Sequence, residues 1–175
     1  MNKKKILIAL ALIALLVFFF YNGFGLSKTH DRSGTAVLLK REIRERIKKE
    51  CKTNDPEECS QYGMKLTCEL LRFTEKNDIA NGKANCVGYA RLCSEICNYA
   101  LKHNRIECKC KSVVGYVTFY GINLCEILQA IVPQNYKNFV KDHDFVQLDL
   151  GYKYKYFAPS LYDYFIDCTT YHKRD

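Results

Sequence analysis

The chain is 175 residues long, with 27 Lys and Arg against 19 Asp and Glu and a formal net charge of +8. That length leaves room for one domain of modest size behind an apolar leader, and thirteen Tyr with ten Phe can fill its core without any Trp. The basic excess gathers in Lys3–Lys5 and Lys40–Lys52. No helix-turn-helix, zinc-finger or RNA-binding signature accompanies it, so no nucleic-acid partner is expected.

The chain begins MNKKKILIALALIALLVFFFYNGFG. Three lysines precede fifteen uninterrupted apolar residues, Ile6–Phe20, the pattern of a secretory signal peptide or an uncleaved signal anchor. No small-x-small cleavage site follows promptly. Tyr21, Phe24 and Leu26 lengthen the segment toward the roughly 20 residues that span a bilayer, which favours an anchor over residues 1–26. In both cases Lys3–Lys5 stay in the cytoplasm and the domain lies on the extracytoplasmic side, secreted if the signal is cleaved. Residues 27–34, SKTHDRSG, read as a polar tether, leaving 35–175 as the domain.

Ala36, Val37, Leu39, Ile43 and Ile47 recur at helical spacing among Lys, Arg and Glu. The basic face of that helix is a solvated surface or, beside the anchor, a membrane contact. Asp55 caps a second helix with Pro56 at its first position, predicted to run to Thr74 and to bury Leu66, Leu70, Leu71 and Phe73. A loop follows, then a third helix over Cys86–His103 with Ala90, Cys93, Ile96, Cys97, Ala100 and Leu101 on its apolar face. Cys108–Tyr120 is a strand or hairpin, rich in β-branched and aromatic residues. INLCEILQAIV returns to helical spacing and ends at Pro133. HDFVQLDL alternates, with Phe145 set off from Val146, Leu148 and Leu150, and GYKYKYF alternates after a turn at Gly151. Helices followed by an antiparallel sheet give an α+β fold.

Ten cysteines are carried by this chain, which its topology sends to an oxidising compartment. Their connectivity is not legible in sequence, and several read as small core residues. Cys108-x-Cys110 without a second pair or nearby histidines is poor support for zinc. There is no CxxCH haem motif and no EF-hand loop, so no cofactor or metal is expected. Cys86 stands apart. It follows a Gly-containing turn at a helix start, where free N–H groups stabilise a thiolate. A cysteine nucleophile needs a histidine to take and return a proton. His30 lies in the tether, His103 at the far end of the Cys86 helix and His172 near the terminus, whereas His143 opens a strand.

GKANCVGYARLCSEICNYAL and DHDFVQLDLGYKYKYFAPSLYD together resemble the transglutaminase-like superfamily. Cys86 with Gly88, Tyr89 and Ala90, His143 with Phe145, and Pro159 with Ser160 match its three blocks. The resemblance implies a papain-like core with Cys86 as nucleophile, His143 as base and a peptide or protein substrate cleaved or acylated at an amide bond. The Cys86 backbone N–H would hold the oxyanion. One departure stands out: the acid that orients the histidine is replaced by Ala158, and that loss is severe in the serine-protease template. Asp163 and Asp167 lie near but out of register, Asp163 being the closer candidate for the third catalytic role. We expect Ala158 beside His143 with no carboxylate in contact. Two other readings stay open: a scaffold that binds a peptide or cell-envelope partner without cleaving it, and a disulfide-stabilised module in which Cys86 is paired.

Overall fold

A computed structural model describes residues 19, 23–34, 36–134, 141–164 and 168–174. Its helices are α1 (Arg41–Glu50), α2 (Pro56–Leu70), α3 (Cys86–His103), α4 (Leu124–Ile131) and the single turn α5 (Pro159–Tyr162). The strands are β1 (Phe24–Asp31), β2 (Arg72–Phe73), β3 (Lys83–Ala84), β4 (Lys109–Phe119), β5 (Ile122–Asn123), β6 (His143–Asp149), β7 (Lys153–Phe157) and β8 (Thr169–Lys173). The main sheet is antiparallel throughout, in the order β1-β4-β6-β7-β8, with β5 hairpinned onto β4. The fold is α+β.

Helix α3 is the central element. Asn85 caps it by accepting the Val87 N–H at 3.0 Å, and Lys102 and His103 complement its C-terminal dipole. Ala90, Cys93, Ile96, Cys97, Ala100 and Leu101 are all buried, the face its periodicity predicts. They pack against Cys110, Val146, Leu148 and Phe157 of the sheet and against residues of α1 and α2. A second cluster, Leu26, Val113, Phe145, Tyr156, Ala158 and Cys168, fills the opposite, concave side of the sheet. Phe145 and its neighbours Val146 and Leu148 therefore face different cores, as their alternation requires. The edges curl toward each other: the Leu26 N–H donates to Thr170 Oγ1 at 2.9 Å, and His172 Nε2 lies 3.2 Å from the Leu26 carbonyl.

Three boundaries differ from the sequence expectations. Residues 27–31 of the predicted tether belong to a strand: Phe24–Asp31 pairs antiparallel with β4 from Phe24↔Phe119 to Asp31↔Val113, including residues assigned to the leader. In α1 the helix begins only at Arg41, and Val37 and Leu39 pack on the core from irregular chain. α2 stops at Leu70, because Arg72 and Phe73 leave it to pair in parallel with Lys83 and Ala84. The apolar run Ile6–Phe20 lies outside the described residues apart from Phe19, and among the described residues no helix is long and apolar enough to cross a membrane.

Candidate active site

The loop before α3 is tied down before the helix starts. Asn77 Oδ1 accepts the Asn85 N–H at 3.0 Å, and Asn85 Nδ2 reaches the Glu75 carbonyl at 3.2 Å. Gly88 allows this loop to lie on the helix, since a Cβ there would sit 2.4 Å from Asn77 Oδ1 and 2.6 Å from the Ala84 methyl. Cys86 thus becomes the first residue of α3, half-buried, at the point where the helix meets the start of β6.

His143 opens β6 opposite Gly115. A Cβ at Gly115 would fall 1.9 Å from the Ser27 carbonyl oxygen, so glycine is what lets β1 and β4 close at this level. Cys86 and His143 share the wall of one cavity of about 320 Å³, with Ser160 and Asp142. Among the described residues no hydrogen bond joins Cys86 directly to His143. The rest of the wall is Phe24, Phe73, Val117, Leu124, Leu128 and Leu161, with Cys125 and Tyr164. Apolar walls around a few convergent polar groups are the usual form of a ligand site, and the volume is at the lower end of the common range of roughly 300–1,000 Å³.

Among the described residues, the polar neighbour of His143 is a hydroxyl and not a carboxylate. Buried Ser160 sits beside the imidazole, its Oγ 3.4 Å from His143 Nε2. Ala158 caps the α5 turn and belongs to the apolar cluster with Phe145 and Tyr156. Asp163 is engaged elsewhere, accepting the hydroxyl of fully buried Tyr89 at 2.6 Å. Asp167 lies outside the described residues.

A second polar device underlies the pair. Asp144, fully buried, is held bidentately by Arg32, whose Nε donates at 2.6 Å and whose Nη2 donates to the other oxygen. Arg32 follows β1 directly, and its own N–H donates to the Ser112 carbonyl at 3.1 Å. The backbone N–H groups of Asp144 and Val87 lie near enough to the Cys86 sulfur to favour its thiolate, although that of Val87 is donated to the Asn85 cap at 3.0 Å. Sequence reasoning missed Arg32 and Asp144, for which the available signal was the pair of acids around the histidine in DHD, and it placed Ser160 in the third block without assigning it the contact with His143.

These surroundings set the protonation states. Burial raises the Cys86 thiol above its usual 9.0, the backbone N–H dipoles of Asp144 and Val87 oppose this, and the nearby charges of Asp144 and Asp142 reinforce it. Burial lowers His143 to about 4. At neutral pH the site holds a neutral thiol and a neutral imidazole. The other cysteines are mostly core residues: Cys51 and Cys59 approach to 3.8 Å, Cys93 and Cys97 to 3.9 Å, and burial pushes Cys59 and Cys68 up to about 12. Among the described residues, no three His, Cys, Asp or Glu groups converge to hold a metal ion.

No family model matches the chain, and neither a curated protein nor a solved structure does.

Proposed function

We propose that the chain is a membrane-anchored, extracytoplasmic thiol enzyme of transglutaminase-like architecture, acting on a peptide or amide carbonyl that carries an apolar group. The observation that carries this reading is the opening of Cys86, His143 and Ser160 onto one cavity whose other walls are nearly all apolar. The order of parts supports it: a cysteine at a helix start, a histidine at a strand start, and a polar partner just past the next strand.

His143 Nε2–H donates to Ser160 Oγ, which leaves Nδ1 as the acceptor. Through one bridging water, Nδ1 takes the proton from Cys86 as Sγ attacks the carbonyl carbon. The new C–S bond forms a tetrahedral oxyanion held by the Cys86 backbone N–H. The imidazolium then gives its proton to the leaving nitrogen as the C–N bond breaks. Water attacks the thioester by the same route in reverse, or an acceptor amine takes the acyl group. A serine holds the ring but offers no charge to the imidazolium, and an imidazole of such low basicity is a weak base at neutral pH. The enzyme is slow.

The test is turnover of p-nitroanilides by the full chain in detergent micelles, comparing an apolar hexanoyl with a charged succinyl acyl group. The hexanoyl compound is expected to be hydrolysed faster, Cys86→Ala to be inactive, and Ser160→Ala to lose about tenfold in kcat with KM unchanged, the worth of one hydrogen bond. Equal rates for wild type and Cys86→Ala would refute the reading. The neutral thiol and the absence of a carboxylate on His143 among the described residues favour a second reading. In that reading the cleft binds an apolar peptide residue without cleaving it, and hexanoyl anilide binds to wild type and Cys86→Ala alike with no turnover.

A further inference from the structure

The cavity borders an exposed apolar face at one end of the sheet. Tyr120, Ile122, Ile127, Leu128 and Ile131 are 54%, 58%, 44%, 39% and 71% exposed. They come from the β4–β5 turn, where Tyr120 and Gly121 both have positive φ, and from α4, which follows it directly. Between Phe119 and Pro133 the only charged residue is Glu126, and its carboxylate accepts from the Asn123 side chain at 3.0 Å. Leu128 belongs both to this face and to the cavity wall.

The way the chain enters the domain identifies what covers this face. The Tyr120 hydroxyl donates to the Phe19 carbonyl and the Tyr120 N–H to the Gly23 carbonyl, each at 2.7 Å. Phe19 is also a member of the fifteen-residue apolar run Ile6–Phe20, and its ring lies 6.4 Å from that of Tyr120. From Phe20 to Gly23 the chain reaches at most about 10 Å, even fully extended. The polar layer of a bilayer is about 5–8 Å deep on each side. With Ile6–Phe20 in the membrane and β1 starting at Phe24, no tether separates the sheet from the lipid. We infer that the β4–β5 turn and α4 dock into the bilayer interface, so that the mouth of the Cys86 cleft opens at the membrane surface.

This rests on the anchor reading but not on catalysis. Tyrosine beside apolar residues suits the boundary between headgroups and acyl chains, and a nearly uncharged helix face enters it without desolvating an ion. The opposite end of the sheet gives the control: Lys109↔Asp149 and Gly115↔His143 fix the β6–β7 turn, with 71% exposed Tyr152, at the far end of the strands.

The native chain has no Trp, so single tryptophans report position. Full-length Ile122→Trp, Ile131→Trp and Tyr152→Trp are reconstituted into phosphatidylcholine vesicles, with plain or brominated acyl chains. Bromine is expected to quench the fluorescence of the Ile122→Trp and Ile131→Trp variants at least twofold and to leave that of Tyr152→Trp unchanged; two reporters guard against one variant failing to fold. Alkaline carbonate extraction is run in parallel. Protein that resists extraction yet shows no quenching at either reporter overturns the docking alone. Protein released by carbonate overturns the anchor and the docking with it. Unquenched reporters with chemical crosslinking between copies would show that a second copy of the chain covers this face instead.

Discussion

A thiol at the first position of a helix ordinarily gains acidity from the free N–H groups there. The Cys86 thiol has the Val87 N–H of that helix start and the Asp144 N–H of β6 beside it and is still raised above 9.0, because burial, reinforced by the carboxylates of Asp144 and Asp142, outweighs them. Alkylation of Cys86 by iodoacetamide should therefore keep rising with pH beyond 9 instead of reaching a plateau near neutrality, which peptide mass mapping of the modified residue will follow. His143 makes the complementary prediction. Its unfolded imidazole binds a proton near 6.5 and its folded one only near about 4. Between those values the unfolded state holds the extra proton, so stability is full above pH 6.5 and falls as the pH falls. The complete loss, reached below pH 4, is about 3 kcal/mol, most of it already present at pH 4.5, so the drop in urea midpoint between pH 7.5 and 4.5 should be clearly larger in wild type than in His143→Gln. The sequence pointed to Cys86 and His143 because their types and places are local properties. The contact of Ser160 with His143 was hidden because a hydroxyl acquires this role only when Pro159 and the α5 turn swing it back toward β6.

Among the elements, β1 bears on the site more than its composition suggests. Only Leu26 is buried in it, and Ser27, Lys28, Thr29, His30 and Asp31 are polar. An edge strand of this kind reads as a linker, because its pairing is decided by the partner strand and not by its own pattern. Strand β8, TTYHK at the opposite edge, went unread for the same reason. By contrast α3 was legible to the residue, since cap, periodicity and C-terminal basic residues all agree. What β1 carries into the site is Arg32. Removing it strands the buried Asp144 carboxylate, so Arg32→Ala should lose about 3–5 kcal/mol of stability by urea unfolding. Replacing both partners, Arg32→Met with Asp144→Leu, should recover most of that loss and leave the Cys86 environment altered only through the missing carboxylate charge.

For the molecule as a unit, the sheet is completed by a strand that lies just after the apolar run Ile6–Phe20 in sequence. Truncation before Gly23 should leave the domain folded, whereas truncation through Asp31 removes β1 and opens the β4 edge along its length. Exposed edges of that kind pair with other chains. Size-exclusion chromatography should find the shorter truncation monodisperse and the longer one aggregated; two equally well-behaved products would return residues 24–31 to the status of a tether. The division into helices and antiparallel sheet was accessible from hydrophobic period alone, but the curl that brings β1 against β8 was not, because it depends on contacts between the two ends of the chain.

The proposed chemistry stands or falls on acylation of Cys86 in a cleft shared with His143. Intact-protein mass spectrometry can read that step in the full chain in detergent micelles, quenched in acid after brief exposure to p-nitrophenyl hexanoate. A single hexanoyl adduct is expected to map to Cys86 and to be absent in Cys86→Ala. In His143→Gln it should form at least about a hundredfold more slowly, as when a positioned general base is lost. Adducts spread over lysines and Cys108 at the same rate in wild type and both variants would contradict it.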